Sequence, residues 1–149
     1  MIRVTRDLDV GATPEDLWAL LWDVPRMVGC VPGCVEAREV EPNRRYEARL
    51  TQRVGPITLS VPLEVTVSKV AAPSGLTLEA KGRDRLLGAD VSLSVTLGVA
   101  PSDTGSRVRV EAEGRILGKL GALGHGVIQR KAEEVIDEFG ARLRRAVER

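Results

Sequence analysis

Residues 118–147, close to the C-terminus, read GKLGALGHGVIQRKAEEVIDEFGARLRRAV. Apolar residues recur in this stretch mostly every three or four positions, which is the period of one face of an α-helix. They are Leu120, Leu123, Val127, Ile128, Val135, Ile136, Phe139, Leu143 and Val147. A helix of this length would extend for about 40 Å, at about 1.5 Å per residue. It needs a large apolar surface to lie on, and the rest of the chain must supply it.

The first part of this predicted helix is rich in glycine. Its glycines are Gly118, Gly121, Gly124 and Gly126. Each glycine inside a helix costs about 1 kcal/mol relative to alanine. One interpretation is an irregular helix start that lets the helix pack closely, and the other is a soft segment that opens the mouth of a cavity. Residues 131–147 contain one interior glycine, Gly140, and are predicted to be the rigid part.

Most of the remaining chain alternates apolar and polar residues, which is the pattern of β-strands with one buried face. A first strand is predicted over residues 2–10, and six more follow the helical region described next. Their predicted ranges are 35–40, 46–54, 57–70, 76–82, 89–99 and 107–116. Short breaks containing proline or glycine separate them, which indicates consecutive antiparallel hairpins. Because the apolar positions share a face, we expect a sheet that is covered on one side.

Two short helices are predicted between the first two strands. Thr13 is the expected N-cap of the first, and Pro14 occupies the first helical position, where its missing N–H costs nothing. Trp18 and Trp22 are four residues apart in this helix and therefore share a face. Core packing explains the pair most simply, and an indole that faces a ligand is the alternative. Asp23 is the expected cap of the second helix, which should end near residue 28.

Several positions on the predicted inner face of the sheet carry small residues. They are Ala48, Ala80, Gly82, Ala112 and Gly114. Protein interiors normally pack to crystal-like density. Small residues beneath an aliphatic helix therefore predict either a close approach of sheet and helix or an apolar cavity that holds a ligand.

Composition excludes several classes of protein. The 22 basic residues nearly balance the 21 acidic ones, so no global positive field attracts nucleic acid. The two Trp, one Tyr and one Phe are too few for a base-stacking platform. No apolar run approaches the roughly 18 residues of a membrane span. The N-terminus lacks the apolar core of a signal peptide, so we expect a cytoplasmic protein.

No reactive constellation is evident in the sequence. His125 is the only histidine, and a lone histidine cannot form a metal site. We expect an exposed or capping role for it. Cys30 and Cys34 supply too few ligands for a zinc site and do not have the redox C-x-x-C spacing, so buried thiols are the simplest interpretation. Tyr46 and Gln52 are the polar exceptions on the inner face.

Several segments resemble a known family. CVPGC at residues 30–34 resembles the CIPGC segment of the CoxG family of carbon monoxide dehydrogenase subunits, and VGPI at residues 54–57 is similar to its VGPV hairpin. GKL at 118–120, LG at 123–124 and DEF at 137–139 resemble its final helix, which typically opens Gly-Lys-Leu. The resemblance covers essentially the whole chain in order.

The CoxG family belongs to the START/polyketide-cyclase-like (SRPBCC) superfamily. The resemblance therefore implies an α+β helix-grip fold, in which a seven-stranded curved antiparallel sheet wraps a long C-terminal helix around a deep apolar cavity. It also implies an accessory role beside a molybdenum-containing CO dehydrogenase-type hydroxylase, either binding a lipid-like molecule such as a quinone or docking the enzyme at the membrane. The sequence ends at Arg149, without the linker and hydrophobic anchor of longer members. We therefore expect at most peripheral contact with the inner face of a membrane.

We predict a single domain over residues 1–149 that binds a quinone, lipid or isoprenoid without catalysis and needs no metal or organic cofactor. The expected ligand contacts are Trp18, Tyr46, Leu50, Val65, Leu78, Leu93, Val95, Val110, Leu123, Val127 and Ile128. Two alternatives stay open. The first is a polyketide cyclase/aromatase-like enzyme that uses Tyr46, Gln52 and residues 84–90. The second is a ligand-free docking module with a collapsed interior.

Overall fold

The computed structural model describes residues 1–148 and forms one seven-stranded sheet with three α-helices. The strands are β1 (Ile2–Val10), β2 (Cys34–Glu41), β3 (Arg45–Val54), β4 (Ile57–Ala71), β5 (Gly75–Asp84), β6 (Ala89–Ser102) and β7 (Gly105–Leu117). The helices are α1 (Pro14–Trp22), α2 (Val24–Val28) and α3 (His125–Val147), with a 3₁₀ helix over Lys119–Leu123.

The strand order in the sheet is β1-β7-β6-β5-β4-β3-β2, and all neighbours are antiparallel. Strands β2 to β7 thus follow one another as hairpins, and β1 closes the sheet beside β7. Helix α3 lies on β1 and reaches β3. This arrangement confirms the predicted α+β helix-grip fold.

Local sequence signals account for the start of α1. The Thr13 hydroxyl accepts a hydrogen bond from the Asp16 amide at 3.2 Å, and Pro14 occupies the first turn, as predicted. Asp23 occupies the N-cap position of α2, but its side chain makes no capping hydrogen bond. The indoles of Trp18 and Trp22 stack with ring centroids 5.8 Å apart, which confirms the shared face.

The predicted helix over residues 118–147 is wrong in its first part. The backbone adopts a 3₁₀ helix over Lys119–Leu123, and Gly124, with φ of 92°, separates it from α3. This left-handed conformation is accessible to glycine and interrupts the α-helical path. Helix α3 therefore contains 23 residues and is about 35 Å long.

The interior between sheet and helices has two parts. In the part that we call the packed half, α1 packs against β6, β7 and α3, and many apolar side chains there are at most 2% exposed. They include Leu17, Leu21, Tyr46, Leu76, Leu97, Val108, Val110 and Leu143. In the other part, the hollow half, α3 and the 3₁₀ helix cover the sheet, and several apolar residues stay partly accessible.

Candidate ligand cavity

The hollow half contains an apolar cavity of about 150 Å³ between α3 and the inner face of the sheet. The strands β1, β3, β4, β6 and β7 form one wall and α3 forms the other. The lining residues are Ile2, Val4, Leu50, Gln52, Val54, Leu59, Val91, Leu93, Val95, Ala112, Glu113, Gly114, Ile116, Leu120, Ile128, Lys131, Ala132, Val135 and Ile136. The volume equals that of an engineered apolar cavity that holds one benzene ring, about 150 Å³.

Small residues on β7 help to explain the space. Ala112 and Gly114 lie on the inner face between Val110 and Ile116, and both line the cavity. Leu93 on β6 pairs with Gly114 and partly covers it, because a Cβ at Gly114 would lie 2.6 Å from the Leu93 Cδ2. Gly82 differs, since a Cβ there would clash with the Pro62 carbonyl. The small residues on β7 thus border a cavity, whereas Gly82 permits a close approach to the neighbouring strand β4 rather than to a helix.

A more open depression of about 410 Å³ adjoins the cavity. The two share Ile2, Gly114, Ile116 and Ile128, so these residues lie where the cavity meets the depression. The depression is also bordered by Met1, Arg115, Leu117, Gly121 and His125. Gly121 of the glycine-rich segment thus lies at this depression, which we call the mouth of the cavity. A Cβ at Gly121 would meet no atom within 4 Å, so this part of the segment is loosely packed.

Four of the predicted ligand contacts line the cavity, namely Leu50, Leu93, Val95 and Ile128. The other seven lie elsewhere. Tyr46, Val65, Leu78 and Val110 are buried in the core, and Trp18, Leu123 and Val127 pack at its edge. The reason is that alternation predicts which face a strand residue occupies, whereas its position along the strand decides whether it meets the cavity or a covering helix.

Other lining residues, which we did not predict as ligand contacts, carry a periodic signal in the sequence. Ala132, Val135 and Ile136 follow Ile128 at spacings of four, seven and eight, which places them on one face of α3. Ile116 belongs to the alternating set of residues on the inner face of β7, and Ile2 and Val4 belong to the corresponding set of β1. The sequence could therefore have identified these residues as inner-face positions, but not as cavity positions.

Gln52 is the polar residue of β3 at the cavity wall. Its Nε2 donates a hydrogen bond to the Pro32 carbonyl, which fixes the CVPGC segment beside the cavity. Tyr46, in contrast, is 2% exposed within the packed half. Burial and, next, the neighbouring Glu39 carboxylate raise the pKa of Tyr46, so its phenol is protonated at neutral pH.

Asp84 does not line the cavity, contrary to the suggestion that it belongs to a catalytic set there. It is 6% exposed, and its carboxylate accepts hydrogen bonds from the amides of Ser60 at 3.1 Å, Leu86 at 3.0 Å and Leu87 at 3.1 Å. The hydrogen bond from Ser60 is the largest cause that lowers the pKa of Asp84. Asp84 is therefore an ionised structural residue that joins the β5–β6 turn to β4.

The two cysteines are free and buried. Burial raises the pKa of Cys34 to about 11 and is also the largest cause that raises the pKa of Cys30. Both therefore carry protonated thiols at neutral pH and behave as small apolar groups, as predicted. His125 is exposed at the first turn of α3. Within residues 1–148, no group of three or more His, Cys, Asp or Glu residues could hold a metal ion.

A membrane-spanning helix is also absent from this part of the chain. None of the helices in residues 1–148 combines the length and the apolar character that crossing a bilayer requires.

Comparisons with known proteins agree with this architecture. The family model that describes CoxG, a subunit of carbon monoxide dehydrogenase, matches residues 7–148. No curated protein matches the chain. A conserved protein from Geobacillus kaustophilus is similar in structure, with a TM-score of 0.86 at 17% identity, covering 98% of this chain and 95% of its own.

Two further solved structures show the same fold. A START superfamily protein from Mycobacterium smegmatis aligns with a TM-score of 0.69 at 12% identity, covering 98% of this chain and 97% of its own. A protein from Chromobacterium violaceum aligns with a TM-score of 0.73 at 12% identity, covering 100% of this chain and 99% of its own. At these identities the likeness concerns the fold alone.

Proposed function

Because the chain belongs to the CoxG family of carbon monoxide dehydrogenase subunits, we propose that it binds a hydrophobic small molecule without catalysing a reaction. Family and START-like fold together indicate a ligand-binding accessory protein. The single observation that carries the proposal is the apolar cavity of about 150 Å³ between α3 and the sheet. We further propose a quinone, lipid or isoprenoid as the ligand and residues 1–149 as one domain.

The cavity supports an apolar ligand by its size and lining. Transfer of apolar surface from water contributes about 25 cal/mol per Å², so burial alone gives useful affinity. The cavity itself accommodates one ring or a short chain segment. The adjoining depression of about 410 Å³ offers room for the rest of a larger ligand. Ligand pockets typically measure about 300–1,000 Å³, so a quinone or acyl chain would use both spaces.

The positions of Tyr46 and Asp84 weigh against the cyclase/aromatase-like alternative. Acid–base catalysis needs a titratable group positioned at the substrate. Tyr46 and Asp84, two of the groups on which that alternative relies, lie away from the cavity wall. Gln52 does line the cavity, but an amide does not titrate.

The accessory role beside a CO dehydrogenase-type molybdenum hydroxylase rests on the family. We propose a cytoplasmic location, where the two free thiols would stay reduced. Peripheral membrane contact is supported by exposed apolar residues at the β5–β6 turn and at the end of β7. Leu86 at the β5–β6 turn is 93% exposed and Leu117 is 58% exposed, with Arg85 and Lys119 nearby in the chain. Apolar tips flanked by basic residues favour an anionic lipid surface.

Ligand binding is tested by native mass spectrometry of the purified chain and by displacement of the neutral dye N-phenyl-1-naphthylamine with short-tail quinones. We expect saturable displacement that weakens at least tenfold, equal to about 1.4 kcal/mol, in Ala112→Leu, because the new side chain fills the cavity. The control Ser92→Leu adds the same side chain to the exposed face of β6 and should bind as the wild type does. Absence of both co-purified lipid and saturable displacement would refute the proposal.

The two finer proposals have separate tests. Size-exclusion chromatography with light scattering should show a complex between the purified chain and a purified CO dehydrogenase-type hydroxylase. Sedimentation with anionic phosphatidylglycerol vesicles, but less with neutral phosphatidylcholine vesicles, should show peripheral membrane contact. Failure of either result removes that role and leaves ligand binding in place.

A further inference from the structure

The cavity walls carry three side chains with charged or amide groups, namely Gln52, Glu113 and Lys131. Glu113 occupies an outward-facing position of β7, and its carboxylate pairs with Arg3 at 3.0 Å on the solvent face. The Gln52 amide donates to the Pro32 carbonyl. Lys131 is therefore the cationic group of the lining with capacity to meet a ligand.

Lys131 lies on the cavity face of α3 rather than on its solvent face. It follows Ile128 by three residues and precedes Val135 by four, and both neighbours line the cavity. Its side chain is 27% exposed, the lowest value among the basic partners of the ion pairs in residues 1–148. The long aliphatic stem of a lysine can cover apolar surface while the ammonium stays near water.

The ion pair that Lys131 makes within the protein is weak. Its Nζ lies 3.8 Å from the Glu134 carboxylate, and the Glu134 side chain is 70% exposed. Exposed pairs of this kind contribute little and exchange readily with solvent. The stem of Lys131 thus contributes to the wall of the apolar cavity, and its ammonium has no close anionic partner in the protein.

We propose that Lys131 is the specificity-determining residue of this cavity, and that it selects an amphiphile whose apolar body fills the cavity and whose carboxylate head binds the ammonium at the rim. The inference rests on the proposed ligand binding and narrows its ligand class. A carboxylate makes a charge-assisted hydrogen bond to the ammonium, which is stronger than one between neutral groups. Because the head stays at the rim, it keeps part of its hydration and avoids the cost of full burial.

The test compares octanoate with octan-1-ol, which share a chain length and differ in the charge of the head group. Each is used to displace N-phenyl-1-naphthylamine from the full chain at neutral pH. We expect octanoate to bind wild-type protein about tenfold more tightly than octan-1-ol. Lys131→Gln should reduce that ratio to about one, while Lys131→Arg keeps it because the charge remains. Arg130→Gln is the matched control, since it removes one charge from the neighbouring exposed position and should keep the wild-type ratio.

Binding of octan-1-ol tests the proposed function, and the ratio of octanoate affinity to octan-1-ol affinity tests the role of Lys131. The two hypotheses can therefore fail separately. Equal binding of acid and alcohol by the wild type overturns the role of Lys131 and leaves ligand binding intact. If a neutral short-tail quinone displaces the dye at a lower concentration than octanoate does, the role of Lys131 is also overturned and ligand binding stands. An unchanged ratio in Lys131→Gln also overturns the inference. If none of the ligands displaces the dye, the proposed function and the inference both fail.

Discussion

The two halves of the interior are built from the same strands and differ in what covers them. On β6, Leu97 in the packed half is fully buried, whereas Leu93 in the hollow half stays partly accessible. On β7, Val110 is 2% exposed under its cover, and Gly114 forms a cavity wall. The packed half is covered by α1 together with Leu143 near the C-terminal end of α3, but the hollow half is covered by the N-terminal part of α3 and a short 3₁₀ helix. One pattern of alternation therefore produces a core where helices cover it closely and a cavity where they do not.

This difference separates stability from binding. Apolar groups that are enclosed on all sides contribute both transfer free energy and dispersion contacts. Groups that border a void lose part of those contacts, and a ligand that fills the void restores them. The packed half therefore stabilises the fold, and the hollow half is free to bind. Each of the following changes tests that division.

The largest effect is expected from a matched pair on β6. Leu97→Ala should lower the free energy of unfolding by about 2–5 kcal/mol, because it creates a cavity in a fully packed site. Leu93→Ala should cost about 1–2 kcal/mol, since its side chain already borders empty space. Urea unfolding followed by circular dichroism measures both. Equal losses at the two positions would contradict the division between the halves.

An intermediate effect is expected at Asp84, which ties the end of β5 to β4. Asp84→Ala should lower the free energy of unfolding by about 1–3 kcal/mol, because three backbone amides lose their acceptor. Asp90→Ala is the control, as the Asp90 side chain is 51% exposed and its ion pair with Arg83 spans 3.7 Å. That control should cost less than about 1 kcal/mol. A larger loss in the control than in Asp84→Ala, measured by urea unfolding, would show that the amide network does not matter.

The contribution of Asp84 should also depend on pH. Its folded-state pKa lies below the ordinary value of 3.8. A lowered pKa means that the folded protein favours the carboxylate, so the stabilisation is fully present above pH 3.8 and is lost as the pH falls through the lower folded-state pKa. The difference in unfolding free energy between wild type and Asp84→Ala should therefore shrink in strong acid. A difference that grows on acidification would contradict this sign.

The smallest effect is expected where α3 rests on β1. Arg6 pairs with Asp137 at 2.8 Å and with Glu133 at 3.8 Å, and its side chain is 40% exposed. Arg6→Gln should change the free energy of unfolding by less than about 1 kcal/mol, since water screens exposed pairs. It should leave dye binding unchanged. A loss comparable to that of Leu97→Ala would show that ion pairs, rather than apolar packing, hold the helix on the sheet.

The sequence by itself determined the order of elements, the antiparallel sheet and the inner face of each strand. Those features depend on apolar residues that recur every two positions in strands and every three to four in helices, on helix caps such as Thr13, and on turns such as Gly55-Pro56. All of these signals act between residues that are close in the chain. The segments that resemble the CoxG family added the helix-grip topology.

The tertiary structure alone decided where that inner face is filled and where it is hollow. Tyr46 and Leu50 lie four residues apart on one face of β3, yet one is enclosed in the core and the other lines the cavity. The Lys131 stem likewise joins the lining through the way α3 crosses the sheet. Cavities arise from the fit between elements that are distant in sequence, and a periodic pattern carries information about the face of an element but not about the volume above it.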